Sequence, residues 1–93
     1  MIRTFRDRRT RGFYEGKRVR EFEGFARQAE RRMQILDSAA ALRDLAALNS
    51  NRLEALVGDR QGQHSVRIND QWRICFEWRD DGPHNVEIVD YHR

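Results

Sequence analysis

The stretch Ser65-Val66-Arg67-Ile68-Asn69-Asp70-Gln71-Trp72-Arg73-Ile74-Cys75-Phe76-Glu77-Trp78 decides the fold. Its apolar residues recur at every second position on both sides of Asn69-Asp70-Gln71, the pattern of two half-buried strands joined by a tight loop. A three-residue loop at 69–71 pairs Ile68 with Trp72 and Val66 with Ile74, so all the apolar side chains share one face. A two-residue loop would set Ile68 against Arg73 and waste the apolar side. The favoured register has a cost on the other face, because Arg67 then sits directly opposite Arg73. Facing like charges destabilise a sheet by some tenths of a kcal/mol, of order 0.2–1. Two resolutions stay open at this level: an anion bound between the guanidiniums, or neutralisation by Glu77 and Asp59.

Working outward, Asp80-Asp81-Gly82-Pro83 reads as a turn and Asn85–Tyr91 as a last strand, with Val86 and Ile88 toward the core. That sends Val89 and Tyr91 to the Arg67/Arg73 side, with Asp90 and His92 at the strand end. Upstream, Leu53, Ala55 and Val57 alternate weakly as a further strand, followed by turns at Gly58-Asp59 and Gly62. Phe22, Phe25, Ala29, Met33 and Leu36 step by three and four and predict one helix with a single apolar face. A shorter helix is expected over 39–48, capped by Asp37 or Ser38. Asp7 or Thr10 caps a first short helix ending at Gly16, and Ile2–Phe5 is a short edge strand. Helices followed by strands predict an α+β fold, with N-terminal helices on one face of a mostly antiparallel sheet of about four strands.

Ninety-three residues without repeat or linker make one domain, residues 1–93. A chain of this size buries a thin core and has no room for a separate cofactor-binding domain. The charge is unevenly spread: eleven basic against five acidic residues up to Arg32 give +6, and seven against ten thereafter give −3. A basic half suits a phosphate-rich or acidic partner, and 17 of the 18 basic residues are Arg, whose planar fork matches phosphate. The single cysteine, Cys75, forms no internal disulfide, which fits a reducing cytoplasm. MIRTFRDRRT has no hydrophobic signal core, and no apolar run approaches a membrane span. His64, His84, His92 and Cys75 show no metal-ligand spacing. A Tyr, an imidazole, a carboxylate and two guanidiniums near one patch are parts for cutting RNA without a metal.

Asn51-Arg52-Leu53-Glu54-Ala55-Leu56 through Gly58-Asp59-Arg60, the hairpin Ser65–Ile74 and the ending Glu87-Ile88-Val89-Asp90-Tyr91-His92 resemble the HigB toxins of the RelE/ParE superfamily. Phe5-Arg6-Asp7 and Ile35-Leu36-Asp37 extend the resemblance over essentially the whole chain. It implies a RelE-like fold and a type II toxin neutralised by a HigA-like helix-turn-helix antitoxin, with operator DNA reached only through that antitoxin. It also implies a cytoplasmic endoribonuclease that needs no cofactor or metal and cuts A-site mRNA on the 70S ribosome, where the RNA 2′-hydroxyl attacks the adjacent phosphate. By position, Arg73 stabilises the phosphate charge, Asp90 and His92 share the acid–base work, and Tyr91 orients or stacks on the nucleotide. Glu54 stands where some relatives carry His and is the alternative base, and Val57 stands where some carry Lys. Arg67, from the hairpin register, and Arg60 are placed as RNA- or phosphate-binding side chains. The competing expectation from the same superfamily is a ParE-like toxin that inhibits DNA gyrase without catalysis.

Overall fold

The computed structural model describes residues 1–91. Its elements run α1 (Arg8–Tyr14), a 3₁₀ segment (Arg20–Phe25), α2 (Ala26–Ser38), α3 (Leu42–Ala47), β1 (Glu54–Ala55), β2 (His64–Arg67), β3 (Trp72–Arg79) and β4 (Gly82–Asp90). The four strands form one antiparallel meander in the order β1-β2-β3-β4.

The expected hairpin register is the observed one. Val66 faces Ile74 and Arg67 faces Arg73, and the Ile68 N–H donates to the Trp72 carbonyl at 2.9 Å. Asn69 fixes the loop, its side-chain oxygen accepting from the backbone N–H groups of Gln71 and Trp72, both at 2.8 Å. Val66, Ile74, Phe76, Val86 and Ile88 are essentially fully buried against Phe22, Ala29, Leu36 and Leu45. Trp72 closes this core, its ring 4.8 Å from that of Phe25 and 5.8 Å from that of Phe22.

Four local expectations change. The helical face over 22–36 is continuous, but the helix is not, because 20–25 winds as 3₁₀ before α2 begins. Asp37 does not cap the next helix. Its carboxylate is occupied by the Ile2 N–H at 2.8 Å and the Tyr14 hydroxyl at 2.9 Å, and α3 starts later, with Asp44 accepting from the N–H groups of Ala40 and Ala41. The weak alternation over 53–57 yields a strand of only two residues. The last strand begins at Gly82, ahead of the expected Asn85. A bulge allows this: Cys75 pairs with Glu87 but Glu77 with His84, so β4 carries one extra residue, and Asn85 takes a left-handed φ of 51° there.

The N-terminal segment docks on β4 as expected of an edge strand, but in the parallel sense, through a Phe5–Val86 bridge. Arg3 N–H donates to Pro83 (2.9 Å), Val86 N–H to Thr4 (3.1 Å) and Arg6 N–H to Val86 (3.0 Å). Asp7 caps α1 by accepting from the Thr10 N–H, and the buried Thr10 hydroxyl accepts from Ile88 N–H at 3.0 Å. The helices therefore cover one face of the sheet, and the face bearing Arg67 and Arg73 turns away from them.

Candidate functional site

Strand alternation fixes what that second face presents. Ser65, Cys75 and Glu87 form one cross-strand row, and Arg67, Arg73 and Val89 the next. Tyr91 follows two residues after Val89, held by its N–H to the Gln71 carbonyl at 2.7 Å. The face is not wholly open, since Ser65 and Cys75 are buried completely and Arg73 is 8% exposed. What stays accessible is a cleft of about 890 Å³ between the 49–54 segment and the hairpin, lined by Asn49, Arg52, Leu53, Glu54, Arg67, Asn69, Asp70, Arg73 and Tyr91.

Arg73 is the most constrained charge in the cleft. Its Nε donates to Ser65 Oγ at 2.6 Å, and one terminal nitrogen donates to the Arg52 carbonyl at 2.6 Å and the Ser65 carbonyl at 3.3 Å. The Glu54 carboxylate lies 3.9 Å from the same nitrogen. A guanidinium this buried is tolerated only when its donors are satisfied. The Arg52 carbonyl reaches it because Arg52 ends a 3₁₀ turn in the left-handed region, φ 44° and ψ 54°. For a residue with a side chain that conformation costs of order 1–3 kcal/mol and is a mark of functional sites.

Arg67 is a third exposed and is paired with the side chain of Asp70 in the hairpin loop. The facing arginines thus each have a carboxylate, Asp70 for one and Glu54 for the other. Glu77, weighed for that role, pairs instead with Arg79 at 3.1 Å and with Asn85, and Asp59, the other, is not among the residues lining the cleft. A third guanidinium approaches from α2. Arg32 donates to Asn51 at 2.8 Å and Ser50 at 3.2 Å, and burial first, then Arg31 and Arg67, lower its pKa.

Of the residues singled out from sequence, the cleft brings together Arg73, Arg67, Glu54 and Tyr91. Asp90 alternates to the other side, opposite Trp72, where Gln71 donates to it at 3.1 Å. Arg60 is on the far side of Cys75, bound to Gln63 at 3.1 Å and Glu87 at 3.2 Å, away from the cleft. His92 lies outside the described residues. Cys75 has no route to reactivity, since it is buried and burial pushes its thiol pKa up. Sequence reasoning missed Arg52, Asn49 and Ser65. The Asn49-Ser50-Asn51 run marks a loop, yet nothing local announces that the next residue turns its carbonyl onto a distant arginine.

Comparison with known proteins adds to this geometry. The family model for the RelE-like toxin of the type II toxin–antitoxin system HigB matches residues 3–92. The chain is 39% identical over 82 residues to Toxin HigB-1 of Vibrio cholerae serotype O1, covering 86% of each protein. It is 32% identical over 63 residues to Endoribonuclease HigB of Proteus vulgaris, covering 66% of this chain and 65% of that protein. Among solved structures, the YoeB–YefM complex from Staphylococcus aureus superposes with a TM-score of 0.61 over 100% of this chain and 99% of the other, at 16% identity. That last likeness is one of fold.

Proposed function

Because the chain belongs to the HigB-like family, RelE-like toxins of type II toxin–antitoxin systems, we propose that it is an endoribonuclease whose reaction centre is the Arg73 cleft. An antitoxin is its partner by family, and we assign that antitoxin a HigA-like helix-turn-helix that alone contacts operator DNA. The substrate is mRNA in the A site of the 70S ribosome, in the cytoplasm. The single observation that carries this reading is the fixed, buried guanidinium of Arg73, set in one cleft with Glu54, Tyr91 and a second arginine on the facing strand.

The chemistry follows from charge and geometry. A base removes the proton of the RNA 2′-hydroxyl, whose oxygen attacks the adjacent phosphorus. The bond from phosphorus to the 5′-oxygen breaks, and an acid protonates that leaving oxygen, giving a 2′,3′-cyclic phosphate and a 5′-hydroxyl. Charge builds on the non-bridging oxygens, where a preorganised guanidinium is most effective. Arg73 takes that role and Arg67 holds a phosphate alongside it, while Tyr91 offers its ring to a base. Glu54 and His92 are assigned the acid–base work, since Asp90 alternates away from the cleft. Glu54 lies at ion-pair distance from Arg73, 3.9 Å.

Purified protein added to translating ribosomes should cut the message at discrete positions mapped by primer extension. Arg73→Ala should slow cleavage by about 10²–10³-fold, the usual loss for a preorganised charge donor. Intact mRNA with the wild-type protein, and double-strand breaks in supercoiled DNA with gyrase, would overturn the reading in favour of the gyrase-poisoning branch.

A further inference from the structure

Among the described residues, the hydrogen bonds that fix Arg73 run to neutral acceptors, with the Glu54 carboxylate farther off at 3.9 Å. The Arg73 Nε points at the Ser65 hydroxyl at 2.6 Å, the shorter of two contacts made by that one residue, whose carbonyl also accepts from the terminal nitrogen at 3.3 Å. Ser65 is completely buried, and its cross-strand neighbour Cys75 is too. A fully buried hydroxyl needs a partner, and here the partner is the cleft's central cation. A carboxylate at position 65 would hold Arg73 as well or better, but it would also offset the positive charge that a phosphate needs. A hydroxyl fixes direction and adds no second carboxylate beside Glu54. The Arg52 carbonyl, aimed by that residue's left-handed backbone, performs the same service from the other side at 2.6 Å.

We infer that Ser65 is a positioning residue for the cleavage reaction, orienting the Arg73 guanidinium through a neutral hydrogen bond to its Nε. The inference rests on the reading of Arg73 as the phosphate-stabilising group. Ser65 does not line the cleft. It acts by restricting the guanidinium plane, and displacement of a catalytic group by ~1 Å is enough to cost about 10²-fold in rate.

The test uses the full chain, ribosomes carrying a defined mRNA, and three variants. Ser65→Ala should lower the single-turnover cleavage rate by about 10–100-fold and leave the KM for the programmed ribosome within about twofold, because uniform binding is untouched. Ser65→Thr, which restores the hydroxyl, should recover most of the rate. In an Arg73→Ala background, Ser65→Ala should cost nothing further, since a positioning residue has nothing left to position. A purely structural role would instead lower the thermal midpoint and multiply with Arg73→Ala. Nitrogen-15 NMR gives a readout independent of activity: the Arg73 Nε–H should exchange slowly in wild type and Ser65→Thr and lose that protection in Ser65→Ala. Wild-type rates in Ser65→Ala, or an Arg73 Nε–H that remains protected there, overturn the inference. Wild-type protein that leaves mRNA whole defeats the nuclease reading, and the NMR comparison still decides whether Ser65 holds Arg73.

Discussion

Gly82 begins the strand on which the N-terminal segment docks, and the space around it is already full. Its φ is +123°, and a Cβ built there would lie 2.6 Å from the Met1 carbonyl oxygen, a backbone atom that no side-chain rotation can move away. Gly62 has a comparable φ of +94° with nothing within 4 Å, so Gly62→Ala carries the backbone strain without the collision. That strain is of order 1–3 kcal/mol and is common to both. Gly82→Ala must in addition push Met1 off β4. The displacement weakens the Arg3-to-Pro83 hydrogen bond, worth about 1 kcal/mol, and begins to expose Ile2, now only 6% exposed, whose full burial is worth about 1.5–3 kcal/mol. Partial loss of both predicts an excess of about 1–3 kcal/mol for Gly82→Ala over Gly62→Ala. For a chain of this length 1 kcal/mol moves the thermal midpoint by about 5 °C, so the two variants should differ by about 5–15 °C. Calorimetry of the isolated chain measures this directly. Equal midpoints for the two variants would refute the docking of the N-terminus against the start of β4.

Two further outcomes follow from named pairs. Asp70→Asn releases Arg67 from its carboxylate and should tighten single-stranded RNA binding severalfold at low salt, by fluorescence anisotropy, with the gain fading as ionic strength rises; unchanged affinity at low salt would remove Arg67 from the phosphate-binding set. Asp81 has its pKa lowered, chiefly by its hydrogen bond to His84 and then by the charges of His84 and Arg3. A carboxyl with a lowered folded-state pKa stabilises the native chain above its unfolded value and loses that contribution as pH falls through the folded one. The difference in thermal midpoint between wild type and Asp81→Asn should therefore be constant at neutral pH and collapse below the ordinary value of 3.8. A difference that persists in acid contradicts the assignment.

The parts of the fold legible in the sequence are those where one periodicity meets one face. Val66, Ile68, Trp72, Ile74 and Phe76 admit a single register, and Phe22 to Leu36 a single buried helix stripe. What escaped depends on partners distant in the chain. Asp37 has the right chemistry for a helix cap, but the Ile2 amide and the Tyr14 hydroxyl claim its carboxylate. The bulge at Asn85 coincides with docking of the N-terminus, whose Thr4 hydroxyl accepts from the Asn85 N–H at 2.8 Å. The site divides the same way. Arg73, Arg67 and Tyr91 follow from alternation, while Ser65 reads as an ordinary strand residue until its buried partner is seen. Strict alternation also places Asp90 away from the cleft, and Arg60 is drawn off by Glu87.

The docking of residues 3–6 on β4 joins positions about 80 apart in the chain, and this has a consequence for how the molecule comes into being. At roughly 5–20 residues per second of translation, about 4–16 s separate the synthesis of the first segment from that of the strand that receives it. Throughout that interval Phe5 and Ile2 have no sheet to join, and the cleft still lacks Tyr91. The helices, with their local contacts, can form early, whereas the non-local pairings wait for the end. The contacts that close the sheet on the N-terminal segment are therefore the last of this fold to become available.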